Sequence, residues 1–294
     1  MNSWIKYRLL VLTLIFSALS SGCSRYFYPV SCTDEPRPWM NRLVPLDPEL
    51  RETSGLVAGD GCLWTMNDSG GEAALYSFIP GQDQISKTMI LNSVNHDWED
   101  LAEDEEHIYI ADVGNNFAKR DTLEILLIRK DSLGNGNGVP VEARIRFVFE
   151  DTVLTNGAGW SSADCEALLA WEDSLYLFTK NWVDRNTALY VLPKTAGIYR
   201  VKARLVLNVN ALITGADIFP SSKKVTLVGY RNYHPVIMTY RFSENPSKIE
   251  CAGPVWNYPL KTGRQVEGIC YDAGGGLYVS SEGLLYRPAL FRLR

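Results

Sequence analysis

"DCEALLAWEDSLYLFTKN", residues 164–181, decides the fold. A small or acidic start, a run of apolar positions, a "WEDS" turn and an aromatic-rich segment read as two short antiparallel strands. The same plan recurs in "ETSGLVAGDGCLWTMND" (52–68), "DWEDLAEDEEHIYIADVGNN" (97–116), "TGADIFPSSKKVTLVGYRN" (214–232) and "VEGICYDAGGGLYVSSEG" (266–283). Taking Ser54, Glu99, Glu166, Ala216 and Glu267 as anchors, the copies are 45, 67, 50 and 51 positions apart. That is the period of propeller blades.

Each copy runs on into a third strand, "AALYSFIP", "LEILLIRK", "TALYVLPK", "VIMTYRFS" or "ALFRLR". The first four add a fourth: "ISKTMILN", "ARIRFVFE", "ARLVLNVN" and "KIECAGPVW". The last copy stops at Arg294 after three strands, and "MNRLVPLD" (40–47) is expected to supply its outer strand, closing the ring and removing an open edge. The expected fold is therefore all-β, a β-propeller of five blades. A six-bladed ring would need a further, degenerate copy within 131–160, and a β-sandwich with coincidental repeats is the other alternative. "GNGNG" (134–138) has the spacing of a dinucleotide loop but lies between strands and opens no helix, so it reads as a hairpin.

Residues 1–22 read as an export signal rather than as part of the fold: Lys6 and Arg8 give a positive start, and the apolar run Leu9–Leu19 is too short to cross a bilayer. The small residues leading to Cys23 resemble a bacterial lipobox, with Ser20 where a leucine is usual; an ordinary cleaved signal is the alternative. Acyl chains on Cys23 would hold the protein to a membrane, and Ser24 in place of an aspartate points to the outer membrane of a bacterial cell envelope. Residues 23–38, with Pro29, Pro36 and Pro38, read as an extended tether, and 39–294 as the propeller.

A chain with 46% hydrophobic and 21% charged residues is an ordinary globular protein, and a net charge of -5 with pI ≈ 5.4 argues against a nucleic-acid partner. Lipidation of Cys23 leaves Cys32, Cys62, Cys165, Cys251 and Cys270, an odd number whose spacing fits no zinc motif. The histidines, His96, His107 and His234, form no H-E-x-x-H arrangement.

In a propeller the first strand of each blade lines a central channel, so the anchors become a ring. Glu99, Glu166 and Glu267 then face one another, and like charges at close range cannot all ionise unless something neutralises them. A hard divalent ion does so, and calcium suits oxygen ligands, making Ser54, Glu99, Glu166 and Glu267 the candidate metal ligands. The alternative is that the glutamates accept from backbone N–H groups or pair with Arg231 or Arg264. A register error of one residue would bring Asp100 or Asp217 into play. A second ring, at the ends of the second strands, gathers Asn67 and Asp68, Asp112 with Asn115 and Asn116, Lys180 with Asn181, Arg231, and Ser281 with Glu282. His96, Asp97 and Trp98 approach the same mouth, whereas "EDEE" (103–106) belongs to the opposite turn and faces water.

The series "NDSG", "DWEDLA", "DVGNN" followed by Arg120, "DCEALL", "TK", "TGAD", "EG" and "SEG" resembles bacterial secreted propellers grouped with phytase-like and esterase-like proteins, over residues 52–284. That resemblance implies ester or phosphoester hydrolysis, although phytases proper have six blades. The chain is also similar to the calcium-activated nucleotidases, or apyrases, which are five-bladed and hold a central calcium on serine and glutamate side chains. Ser54, Glu99, Glu166 and Glu267 look like four of those ligands, and Ala216 departs from the pattern.

Two functions follow as expectations. One is a calcium-dependent hydrolase of phosphate esters or anhydrides, with Lys180 and Arg231 holding phosphate charge and Asp68 or Asp112 orienting water. Asn67, Asn116, Arg120 and Glu282 then bind the substrate. No GxSxG elbow is present, which argues against a serine esterase. The other is a non-catalytic envelope module with a structural calcium whose mouth binds a glycan, peptide or protein partner.

Overall fold

The computed structural model describes residues 26–27, 30–31, 39–68, 70–134, 138–243, 249–257, 265–283 and 286–294. Five small sheets surround an axis, giving a five-bladed β-propeller. Blade 1 is Thr53–Gly59, Cys62–Asn67, Ala74–Phe78 and Lys87–Ile90, from the axis outward. Blade 2 is Trp98–Glu103, His107–Asp112, Leu123–Arg129 and Ala143–Phe149, and blade 3 is Cys165–Trp171, Ser174–Thr179, Thr187–Pro193 and Leu205–Leu207. Blade 4 comprises Leu212–Phe219, Lys224–Arg231, His234–Phe242 and Ile249–Asn257. Blade 5 takes Val266–Tyr271, Leu277–Ser281 and Ala289–Leu293 from one end of the chain and Met40–Pro45 from the other.

This last pairing is the expected ring closure. Leu290 lies opposite Val44, and Trp39 and Arg294 exchange backbone hydrogen bonds of 2.7 and 3.0 Å. The apolar residues of neighbouring sheets interleave into a core between the blades. Blades 3 and 4, for example, share a layer that includes Leu169, Phe178, Leu227, Met238 and Phe242.

Two features of the rim were not expected. Gly197–Val201 follows the third strand of blade 3 yet pairs in parallel with Ala143–Phe149 of blade 2. Within the stretch read as a tether, Tyr26–Phe27 pairs in parallel with Leu205–Leu207, and Val30–Ser31 with Cys251 and Ala252. An outer strand exposes a row of unpaired N–H and C=O groups, and the chain here uses its own segments to cover them. The signal segment, Cys23, Cys32 and Arg264 lie outside the described residues. Cys62, Cys165 and Cys270 carry free thiols.

Every inner strand is irregular at the same level, with register shifts at Ser54/Val57, Trp98/Asp100, Cys165/Ala167, Ile213/Gly215 and Val266/Ile269. Such bulges re-aim a side chain toward the axis. They also set the true equivalence, which is Ser54-Gly55, Glu99-Asp100, Glu166-Ala167, Thr214-Gly215 and Glu267-Gly268. The fourth anchor is therefore Thr214, and Ala216 is two residues too far along. The residue after each anchor is small in four blades because the inner strands nearly touch. A Cβ on Gly55, whose φ is +62°, would lie 2.5 Å from Leu101 N.

Candidate functional site

Two rings of side chains follow from this register, both at the channel end where inner strands begin. The lower ring is Ser54, Glu99, Glu166, Thr214 and Glu267, all buried. Its two hydroxyls join neighbouring blades: Ser54 Oγ donates to Glu99 O, and Thr214 Oγ1 donates to Val266 O at 2.6 Å.

The upper ring is read from the second strands. Thr53, Trp98, Cys165, Ile213 and Val266 pair with Asn67, Asp112, Thr179, Gly229 and Ser281. The next residue in each, Asp68, Val113, Lys180, Tyr230 or Glu282, therefore occupies one level. Four of these five are polar, while Val113 packs into the core. The expected members Asp112 and Arg231 are displaced by a single residue, and one step along a strand turns a side chain to the other face. Asp112 instead accepts from Arg120 Nη2 at 2.7 Å and lies 3.0 Å from His96 Nδ1. Arg231 donates to the carbonyls of Asn210 and Val209 at 2.7 and 3.0 Å.

Period-two alternation adds a third level two residues before each anchor: Glu52, Asp97, Asp164, Leu212 and Gln265. Oxygens of Glu99, Asp164 and Glu166 lie within 4.8 Å of one another, as do those of Asp68, Asp97 and Glu99. Glu99 belongs to both groups. Gly114 admits it: a Cβ there would come 2.2 Å from Glu99 Oε1 and 2.3 Å from Asp97 Oδ2.

The carboxylates differ in how they are satisfied. Asp164 accepts from Asn115 N at 2.8 Å and from Trp182 Nε1 at 2.9 Å. Glu166 Oε2 accepts from the buried Lys180 Nζ at 2.6 Å. Gln265 Nε2 bridges Glu267 and Glu282, at 3.2 and 3.0 Å. Glu99 is 3% exposed, and no hydrogen-bond donor among the described residues reaches its carboxylate. Burial, followed by the charges of Glu166, Asp68, Asp164 and Asp97, pushes its pKa well above the carboxylate range. Burial and Glu267 raise Glu282 to about 9, and burial raises Glu267 to about 7 even with Lys180 nearby. Burial works against the Lys180 ammonium, but Glu166 and Glu267 outweigh it and hold its pKa well above the usual lysine value.

The alternative of carboxylates capping backbone N–H groups is realised further down, by the residues one step past the anchors or nearby. Asp100 Oδ2 accepts from Leu168 N at 2.8 Å and Ala216 N at 3.3 Å, tying blade 2 to blades 3 and 4. Asp217 Oδ2 accepts from Tyr271 N at 2.7 Å. These two are braces between blades rather than members of the mouth.

Of the expected substrate-binding residues, Glu282 lies in the mouth. Asn67 donates to Glu49 O at 2.8 Å, and its Oδ1 is buried without a partner among the described residues. Asn116 accepts through its backbone carbonyl from Ser161 N at 2.7 Å. Arg120 clamps the 112–115 turn, donating to Gly114 O at 3.0 Å as well as to Asp112. Asp97, expected near the mouth, joins Asp68 and Glu99 there, whereas Trp98 is buried in the core. Residues missed in the sequence are Asp164 and Gln265, which the alternation from each anchor marks, and Tyr230, adjacent to a residue that had been chosen.

No model of a known protein family and no curated protein matches the chain. Among solved structures it is similar to a carbohydrate-active enzyme of family AA12 from Trichoderma reesei, with a TM-score of 0.50 and 11% identity over 92% of this chain and 98% of that one. A PQQ-bound aldose sugar dehydrogenase from Streptomyces coelicolor gives 0.49 and 11%, over 89% and 100%. A luciferin-regenerating enzyme gives 0.47 and 10%, over 87% and 95%. At 11% identity the first of these likenesses shows the fold alone.

Proposed function

We propose that the mouth binds a divalent cation, calcium by preference, and that the loaded mouth hydrolyses phosphate esters or anhydrides. The supporting observation is Glu99, a buried carboxylate that no hydrogen-bond donor among the described residues reaches, facing Asp68, Asp97, Asp164 and Glu166. Burying a carboxylate without a donor costs several kcal/mol, whether it stays ionised or takes up a proton, and a hard cation coordinated by several oxygens offsets that cost.

The two oxygen clusters are not equivalent. Lys180 already neutralises the Glu99–Asp164–Glu166 side, so the Asp68–Asp97–Glu99 side is the place for one cation. This moves the metal away from Ser54 and Glu267, whose polar groups are engaged elsewhere. A cation there polarises a phosphoryl oxygen and activates water. Lys180 holds a second phosphoryl oxygen, and Asp68 orients the water. Without a cation Asp68, Asp97 and Glu99 offer a phosphate no positive partner on their side of the mouth.

Turnover of a nucleoside diphosphate, phytate and a generic phosphoester, each with calcium and with chelator, tests this reading. Chelator-sensitive hydrolysis of at least one supports it. Calcium binding with no turnover across the panel would leave the second reading, a calcium-stiffened module that binds a glycan, peptide or protein. We further propose that a lipid on Cys23 anchors the protein to the bacterial envelope, at the outer membrane, and that nucleic acid is not a partner. Partition of the full chain into detergent, lost in Cys23→Ser, tests the anchor.

A further inference from the structure

Lys180 Nζ lies between two aromatic rings, 5.2 Å from the centroid of Trp182 and 5.5 Å from that of Tyr230. Each ring starts a stack that leads away from the ammonium. Trp182 packs on Trp160 at 4.6 Å, and Trp160 on Phe117 at 4.7 Å, with interplanar angles near 30°. Tyr230 is followed by Tyr233 at 6.5 Å and 8°. Both stacks end in solvent, with Phe117 47% and Tyr233 64% exposed.

The exposed apolar surface is concentrated on this face. Nine large hydrophobic residues are exposed among the described residues. Six of them, Val94, Phe117, Leu154, Val183, Tyr233 and Tyr286, sit on loops at the mouth end of the strands. Scattered exposed apolar residues need no explanation, but two ring stacks that run from a buried ammonium out to exposed Phe117 and Tyr233 are the composition of a ligand site. Four residues of these loops, Ala118, Arg185, Asn232 and Tyr233, have positive φ, at 53°, 60°, 50° and 62°, as do Asp60, Glu172 and Lys223 in the turns at the opposite end. Residues held in that region cost about 1 kcal/mol or more each and persist where the surroundings impose them.

We propose that the mouth takes an amphipathic phosphoester, its phosphate at Lys180 and the cation, its ring or apolar body between the Phe117–Trp160–Trp182 and Tyr230–Tyr233 walls. This rests on the phosphate reading above and names the substrate class. A small hydrophilic phosphate would leave both walls wet, whereas a body bearing a ring removes apolar area from water on both partners and gains aromatic contact. An anion is the fitting charge because the cage formed by Trp182 and Tyr230 is already filled by the protein's own ammonium.

The test is calorimetric titration of the full propeller with phenylphosphonate and with methylphosphonate, neither of which can be hydrolysed as an ester, in calcium and in chelator. Phenylphosphonate is expected to bind about tenfold more tightly than methylphosphonate in calcium and not measurably in chelator. Phe117→Ser and Tyr233→Ser, both at exposed positions, should each reduce that preference while leaving calcium affinity unchanged. Equal affinities of the two phosphonates, or a preference that survives both substitutions, would overturn the aromatic subsite and spare the phosphate reading. Binding of neither in calcium would overturn both. Tight binding of benzyltrimethylammonium in chelator would overturn the proposal as well, since the walls would then recognise cations.

Discussion

Lys180 Nζ and Glu166 Oε2 are 2.6 Å apart inside the mouth, and both residues are buried. The ammonium neutralises one acid of the Glu99–Asp164–Glu166 cluster, which on the proposed reading keeps a cation from that side. Lys180→Met, which removes the charge and keeps the bulk, should raise the number of calcium ions bound per chain from one to two. Lys180→Met combined with Glu166→Gln should return it to one. Calorimetric stoichiometry checks both, and any phosphohydrolase activity should fall at least about 100-fold in either variant.

Glu99 belongs to both clusters, so its loss should be the most damaging to cation binding. Glu99→Gln is expected to weaken calcium affinity by at least about tenfold, because the shared ligand loses its charge. The same change should raise stability in chelator, since it removes a desolvated and repelled carboxylate. Melting curves with and without calcium read both effects.

Gly114 offers a way to disturb the ligands without disturbing the core. A methyl group there meets the ends of the Glu99 and Asp97 side chains rather than backbone. Gly114→Ala should therefore cost about 1 kcal/mol or less in chelator but shift calcium affinity by about tenfold or more. Gly55→Ala behaves in the opposite manner. Its positive φ and the 2.5 Å approach to Leu101 N predict a loss of about 3 kcal/mol or more by chemical denaturation, whether calcium is present or not.

Burial raises the pKa of Asp217 to about 7, against the opposing hydrogen bonds from Tyr271 N and Ile218 N. The folded state thus keeps a proton that the unfolded chain loses near pH 4. Its contribution to stability is complete below about pH 4 and is lost as pH rises through about 7. Asp217 retains some contact with water, so the decline assigned to it is on the order of 2 kcal/mol. Denaturation in chelator from pH 4 to 8 should show a shallower fall for Asp217→Asn than for the natural protein.

Much of the architecture was legible because repetition is a strong signal. The blade count and the closing strand Met40–Pro45 could be read from apolar alternation and turn residues alone. The site was legible to within one or two positions. Glu99, Glu166 and Glu267 were found as acids recurring at one level, but the hydrogen-bond register distinguishes Thr214 from Ala216, Tyr230 from Arg231 and Val113 from Asp112. Bulges, which the alternating pattern does not reveal, set that register. Trp160 and Trp182 gave no repeat signal because they lie in loops whose lengths differ between blades. Gly197–Val201 was not among the expected strands, because it is an addition to one blade that no other copy repeats.

That segment also bears on how the molecule comes apart. Because a segment between the third and fourth strands of blade 3 is stitched to the sheet of blade 2, the two blades are expected to melt as one cooperative unit. Hydrogen exchange should find the amides of Ala143–Phe149 and Leu205–Leu207 opening together, where a simple string of modules would release them one after the other.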